Sequence, residues 1–200
     1  MHIAILTFDG FNELDSLIAL GILNRIKQPE WRVSLASPSE MVTSMNGVQL
    51  HRHVPLDGIH TCDAVLVGSG IKTREIAEDA ALMQMLAQLD STRQLIGAQC
   101  SGTLLLANSG LLNGVPGCTD PTTKPWVQEA GIEVLEQPFF ARGNLATAGG
   151  CLASIYLAAW TIARLAGRKA AVEALHYVAP VGEKGAYVER AMGNIEPYLP

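Results

Sequence analysis

Gln94-Leu-Ile-Gly-Ala-Gln-Cys100-Ser-Gly-Thr-Leu-Leu-Leu-Ala-Asn-Ser-Gly110 decides how this chain is read. Leu95 to Ala98 is an apolar run of strand length, and Thr103 to Ala107 reads as a helix with almost no loop between them. Cys100 falls at the junction, with Ala98 two residues before it and Gly102 two residues after. This is the layout of a nucleophile elbow, a tight strand-to-helix turn that holds one side chain clear of the sheet. Small residues flank it because the turn is strained and neighbouring backbones come close. The N-terminus of the following helix presents N–H groups and partial positive charge to the sulfur. The expectation is therefore a thiol that titrates below its free value of about 8.5. A buried, inert cysteine is the competing reading.

Working outward, His2 to Phe8 is a short apolar strand, and Asn12 caps a helix expected to run to about Ile26. Arg32 to Ala36 is a second strand. Met41 to Leu50 reads as a hairpin turning at Asn46-Gly47. Ala64 to Val67 is a third core strand, running into Gly68-Ser69-Gly70, and a helix is expected from Arg74 to Leu89. Beyond the elbow, Thr123 to Ala130 is a short helix. Ile132 to Leu135, Phe139 to Arg142 and Leu145 to Thr147 are short strands. Helices follow from Leu152 to Ala166 and from Arg168 to Tyr177, and the tail, Ala179 to Pro200, is expected to wrap over the surface. Strands alternate with helices, so the fold class is α/β with a parallel sheet covered on both faces. Ligands in such sheets gather at the C-terminal strand ends, where Phe8, Gly68 and Cys100 would all lie.

With 200 residues, 48% hydrophobic and 16% charged, the chain has the length and composition of one well-buried domain spanning residues 1–200. No apolar run reaches the roughly 18 residues of a membrane helix, and the N-terminus lacks the pattern of a secretory signal, so a cytoplasmic location is expected. Cys62, Cys100, Cys118 and Cys151 show no Cys-x-x-Cys pair, which argues for free thiols in a reducing compartment. A net charge of −5 gives poor support for direct nucleic-acid binding.

Glu13 and Asp15 sit at the start of the first helix. They are two residues apart and cannot share a face, so one is expected to point towards the elbow while the other is solvated. A carboxyl buried beside a thiolate resists ionising and is able to hydrogen-bond the sulfur or shuttle a proton. The competing reading is two ordinary first-turn acids. Gly68-Ser69-Gly70 is placed to supply a backbone N–H to an oxyanion site together with that of Ser101, or is a plain glycine turn. His51 and His53 alternate on a strand, but no Cys, Asp or Glu completes a ligand spacing, so no metal and no cofactor are expected. Cys118 and Cys151 read as buried cysteines, and whether either resolves an oxidised Cys100 stays open.

The sequence resembles the ThiJ/PfpI superfamily of the class I glutamine amidotransferase-like fold. The similarity is carried by Ile5-Leu-Thr-Phe-Asp-Gly-Phe-Asn-Glu-Leu-Asp15, by Asp63-Ala-Val-Leu-Val-Gly-Ser-Gly70, by Gly97 to Gly114 around the elbow, and by Gly143-Asn-Leu-Ala-Thr-Ala-Gly-Gly150. Within it, the chain looks nearest to isonitrile hydratases and to the amidase-like domain of AraC-type regulators, whose opening turn ends in Leu-Asp, as Leu14-Asp15 does. The resemblance implies a flavodoxin-like three-layer sandwich with a mostly parallel central sheet, and a homodimer. It also implies Cys100 as nucleophile, Asp15 as its carboxyl partner with Glu13 as competitor, and oxyanion N–H groups at Gly70 and Ser101.

Three departures bear on chemistry. Many members place a histidine beside the cysteine after the elbow helix, whereas here Cys118-Thr-Asp-Pro121 puts Asp120 at that position. A carboxylate cannot serve as an imidazolium partner at neutral pH, which argues against protease or amidase chemistry. Ser69 replaces a loop glycine, and Ser16 to Ala19 depart from the usual sequence after Leu-Asp. The leading expectation is a cysteine-dependent hydro-lyase, isonitrile hydratase-like, acting on a small electrophilic molecule. The alternatives are a cysteine redox or stress sensor, and a catalytically silent ligand-binding protein of regulatory lineage acting through a partner protein.

Overall fold

The computed structural model describes residues 1–200 and opens with β1 (His2–Leu6), buried at every position after His2. Asn12 caps α1 (Glu13–Leu23), its side chain accepting from the Leu14 N–H, as an N-cap should. There follow β2 (Arg32–Ser37), the hairpin strands β3 (Met41–Thr43) and β4 (Gln49–His51), β5 (Val54–Pro55) and β6 (Ala64–Val67). Then come α2 (Thr73–Ile76), α3 (Ala80–Ala87), β7 (Leu95–Gln99), α4 (Thr103–Asn108), α5 (Lys124–Glu129), β8 (Phe139–Arg142) and β9 (Leu145–Ala148). The chain ends in α6 (Ser154–Ala166), α7 (Arg168–Val178) and α8 (Lys184–Ile195).

Seven strands form one sheet in the order β5-β2-β1-β6-β7-β9-β8, all parallel except the β8–β9 pair. Alternation along the strands divides the core in two. Ile3, Ile5, Leu66 and Leu95 face a cluster that includes Leu157 and Trp160 of α6, Leu175 of α7 and Ile195 of α8. Ala4, Leu6, Val65, Val67, Ile96 and Ala98 face the other side, against Leu86, Leu104, Leu106 and Val127. The fold is thus a three-layer α/β sandwich. No helix is long and apolar enough to cross a membrane.

Three expectations change. The helix expected from Arg74 to Leu89 is split into α2 and α3, because Asp79 accepts hydrogen bonds from the Ala81 and Leu82 N–H groups and starts a new helix. Ile132 to Leu135 forms no strand, only a single bridge between Val134 and Gly117. The tail does not merely wrap. It forms α8, whose Ala191, Met192 and Ile195 are buried against the α6 side of the sheet. Gly185 and Gly193 read as breakers, yet Val188, Ala191, Met192 and Ile195 follow helical spacing, and burial of that face outweighs the roughly 1 kcal/mol each glycine costs a helix.

Candidate active site at the elbow

β7 ends at Gln99, and Cys100–Gly102 makes one 3-10 turn before α4. Cys100 has φ +50°, the only residue other than glycine in the left-handed region. L-residues resist that region, so the conformation persists only where packing enforces it. Gly102 supplies part of that packing: a Cβ there would lie 2.6 Å from Gly68 O and 2.7 Å from Val67 O, so the elbow seats directly on the end of β6. Downstream, the segment carrying Asp120 is tied back to the elbow. Thr119 Oγ1 donates to Cys100 O at 2.9 Å, and Thr103 Oγ1 donates to Cys118 O at 2.8 Å.

The two acids of α1 part as their spacing requires. Asp15 is fully buried behind the elbow, with Ser69 Oγ donating to its Oδ2. Its Oδ1 has no hydrogen-bond partner. Burial dominates, lifting the carboxyl from 3.8 to about 7 despite the hydrogen bond from Ser69. Glu13 points the other way. It accepts from Ser44 Oγ and from the Asn46 amide groups, pinning the β3–β4 hairpin, and those hydrogen bonds, Ser44 first, lower its pKa. The pair were expected to divide into one facing the elbow and one solvated; Glu13 is instead a hairpin anchor.

Asp120 faces the cysteine. Cys100 Sγ donates to Asp120 Oδ2 at 3.4 Å, while Oδ1 accepts from the Thr122 and Thr123 N–H groups at 2.9 and 3.0 Å. The thiol is pushed well above its ordinary range, first by burial, then by the charges of Asp120, Cys151 and Asp15. The expected depression from the helix terminus does not prevail: α4 is only six residues long, and desolvation with nearby acids opposes it.

On the oxyanion side, the Gly70 N–H donates to Ser101 Oγ at 3.2 Å, and that hydroxyl lies 2.8 Å from Thr73 Oγ1. An antiparallel bridge between Phe11 and Gly70 fixes the loop's position. Cys100, Ser101, Gly70, Ser69 and Asp120 line one cleft of about 360 Å³ with Arg74, Ile71, Met45 and Trp126 at its walls. Arg74 stacks over Trp126 at 4.9 Å.

Two further partners stand at the site: Cys151, whose relation to Cys100 the sequence left open, and Asn12, whose second role it did not show. Cys151 Sγ, Cys100 Sγ and an Asp15 carboxylate oxygen all lie within 4.8 Å of one another, close enough to share one soft cation. Asn12, expected only as a helix cap, also donates through Nδ2 to Cys151 Sγ at 3.0 Å. Of the two cysteines the sequence left open, Cys151 joins the cluster and Cys118 does not; the place of Cys151 after Gly149-Gly150, at a turn returning the chain to the site, is the signal that separates them. The histidines considered for metal lie elsewhere: His53 Nδ1 accepts from the Leu35 N–H at 3.1 Å, beside the edge strand.

A family model described as the DJ-1/PfpI family matches residues 1–164. An isonitrile hydratase from Pseudomonas putida is 24% identical over 168 residues, covering 84% of this chain and 73% of that protein. Among solved structures, a ThiJ/PfpI family protein from Pseudomonas syringae superposes with TM-score 0.79 at 19% identity, covering 98% of this chain and 87% of the other. Oxidized DJ-1 from Toxoplasma gondii gives TM-score 0.76 at 20% identity, covering 88% of this chain and 97% of the other.

Proposed function

Since the chain belongs to the DJ-1/PfpI family, we propose that it is a cysteine-dependent hydro-lyase that hydrates a small neutral electrophile of the isonitrile type. The observation carrying this reading is the pairing of a buried thiol with a buried acid: Asp15, lifted to about 7, has a carboxylate oxygen within 4.8 Å of Cys100 Sγ. An acid titrating near neutrality both gives and takes a proton at working pH. The likeness to the isonitrile hydratase supports the choice of substrate class.

The pair suits an addition in which thiol and carboxyl begin protonated. Asp15 protonates the terminal carbon of R–N≡C while the Cys100 sulfur bonds to that carbon, and the thiol proton passes to Asp15. The product is a thioimidate, R–N=CH–S–Cys100. Water then adds to the same carbon, one of its protons going to nitrogen. The C–S bond breaks as sulfur recovers the hydroxyl proton, and R–NH–CHO leaves. No charge need develop fully, so a raised thiol pKa is compatible with this chemistry, whereas acyl transfer by a standing thiolate is not favoured. The acids at the floor disfavour anionic substrates, and Ile71, Met45 and Trp126 suit an apolar R group. The Gly70 and Ser101 N–H groups would steady developing charge, with the Ser101 hydroxyl giving up its hold on Gly70 as substrate enters.

The test is production of the formamide from a small alkyl isonitrile, followed by NMR. Cys100→Ala should abolish turnover and Asp15→Asn should lower it by about 100-fold, both with native circular dichroism. Full turnover in Cys100→Ala sinks the proposal. We further propose a homodimer in a reducing compartment. Exposed Leu14, Ile71 and Leu152 beside the site offer apolar surface for it, and the four thiols are free.

A further inference from the structure

Cys151 takes no part in the hydration above, yet it stands at the site. It opens the 3-10 turn Cys151–Ala153 leading into α6, directly after Gly150, whose φ is +88°. Its sulfur and that of Cys100 are within 4.8 Å of each other, with the Asp15 carboxyl completing the cluster. A disulfide requires the sulfurs at about 2 Å, so side-chain rotation must close the remaining gap. Each thiol has one side-chain partner to release: Asp120 for Cys100 and Asn12 for Cys151. Cys62 and Cys118 are fully buried and stand outside the cluster. Small reagents have two approaches. Cys100 lines the 360 Å³ cleft, and Cys151 lines a second cleft of about 600 Å³ with Tyr156, Tyr187 and Arg190.

We propose that Cys100 and Cys151 form a reversible disulfide when the site meets a peroxide, with Cys151 as the resolving thiol. Cys100, having passed its proton to the leaving oxygen, attacks one peroxide oxygen. The O–O bond breaks, water leaves, and Cys100 becomes a sulfenic acid. Cys151 attacks the Cys100 sulfur, the S–S bond forms and the S–O bond breaks. The departing hydroxide takes a proton from Asp15, which regains the proton Cys151 loses. Two thiols supply two electrons, and one peroxide becomes two waters. The disulfide consumes the nucleophile, so it switches the site off, and it spares Cys100 from irreversible over-oxidation. The pairing rests on two thiols and needs no substrate, so it stands apart from the hydration reading.

The experiment treats the reduced protein with hydrogen peroxide, blocks remaining thiols by alkylation, and maps peptides by mass spectrometry. The wild-type protein should lose two alkylatable thiols and two hydrogen masses, yield a peptide pair joining Cys100 to Cys151 within one chain, and recover with dithiothreitol. Cys118→Ser should give the same link. Cys151→Ser should give none, and its Cys100 should reach sulfinic acid at least about tenfold faster than wild type. Should Cys151→Ser fold poorly by thermal melting, the linked peptide of the wild-type protein still decides. A wild-type Cys100 that stays reduced while methionines oxidise overturns the proposal. So does one that reaches sulfinic acid as fast as the variant, or that links instead to Cys62, Cys118 or a second chain. Formamide production by reduced Cys151→Ser reports separately on the hydration reading.

Discussion

Asp15 is held against its own solvation. Folding removes its carboxyl from water, and the donors that remain, Ser69 foremost, do not make up the loss, so the acid rises from 3.8 to about 7. Below about pH 4 it is protonated in both folded and unfolded chains and costs nothing. Between 4 and 7 the unfolded chain ionises while the folded one keeps its proton, so stability falls as pH rises. Above 7 both are ionised and the fold carries the full penalty, on the order of 4 kcal/mol. Urea midpoints between pH 5 and 8 should therefore fall with pH in the wild-type protein. Asp15→Asn should flatten that dependence and be the more stable protein at pH 8, even as it loses turnover. A wild-type midpoint rising over that interval would mean that Asp15 is not held as an acid.

At the scale of the element, the elbow joins loops that are distant in sequence. Phe11 bridges both Ser44 and Gly70, and Glu13 fastens the hairpin through Ser44 and Asn46. Glu13→Ala should speed amide hydrogen exchange across Met45 to Val48 while leaving the global melting temperature almost unchanged, because its side-chain hydrogen bonds reach only the hairpin. Loss of protection throughout the sheet would contradict that local role. The elbow itself was legible because Leu95–Ala98, Cys100 and Gly102 form a local pattern: apolar strand, small flanks, abrupt helix. Asp15 is legible from spacing only as one of two acids, since spacing separates the faces but does not say which is inward; the family resemblance singles it out. Ser69 was not legible as a partner of Asp15, and Cys151 was legible only as an open possibility alongside Cys118, because their proximity to Asp15 is made by the sheet order, with β9 beside β7 and β6 on its other side. The raised thiol was misread for a related reason: helix-terminus charge is visible in sequence, whereas burial and the approach of Asp120 are tertiary.

Across the whole molecule, the strand–helix alternation made the parallel sheet readable, and the two cores follow from period-two burial along its strands. The C-terminal segment was the harder part, since two glycines masked an amphipathic helix. Ile195, fully buried in the core shared by α6 and α7, should now report on it. Ile195→Ala should cost about 3 kcal/mol in urea unfolding, the penalty of a core cavity, where a surface tail would cost almost nothing. A loss under about 0.5 kcal/mol would show that α8 does not share the core.

The central claim is that Cys100 and Asp15 form one electrostatically linked pair, and the pH dependence of Cys100 alkylation, read by intact mass and peptide mapping, tests it most directly. Wild-type labelling should follow an apparent pKa above the free value of about 8.5, and Asp15→Asn should move it down by removing a negative charge from beside the sulfur. A wild-type value below 8.5, or one that Asp15→Asn leaves in place, would contradict the account.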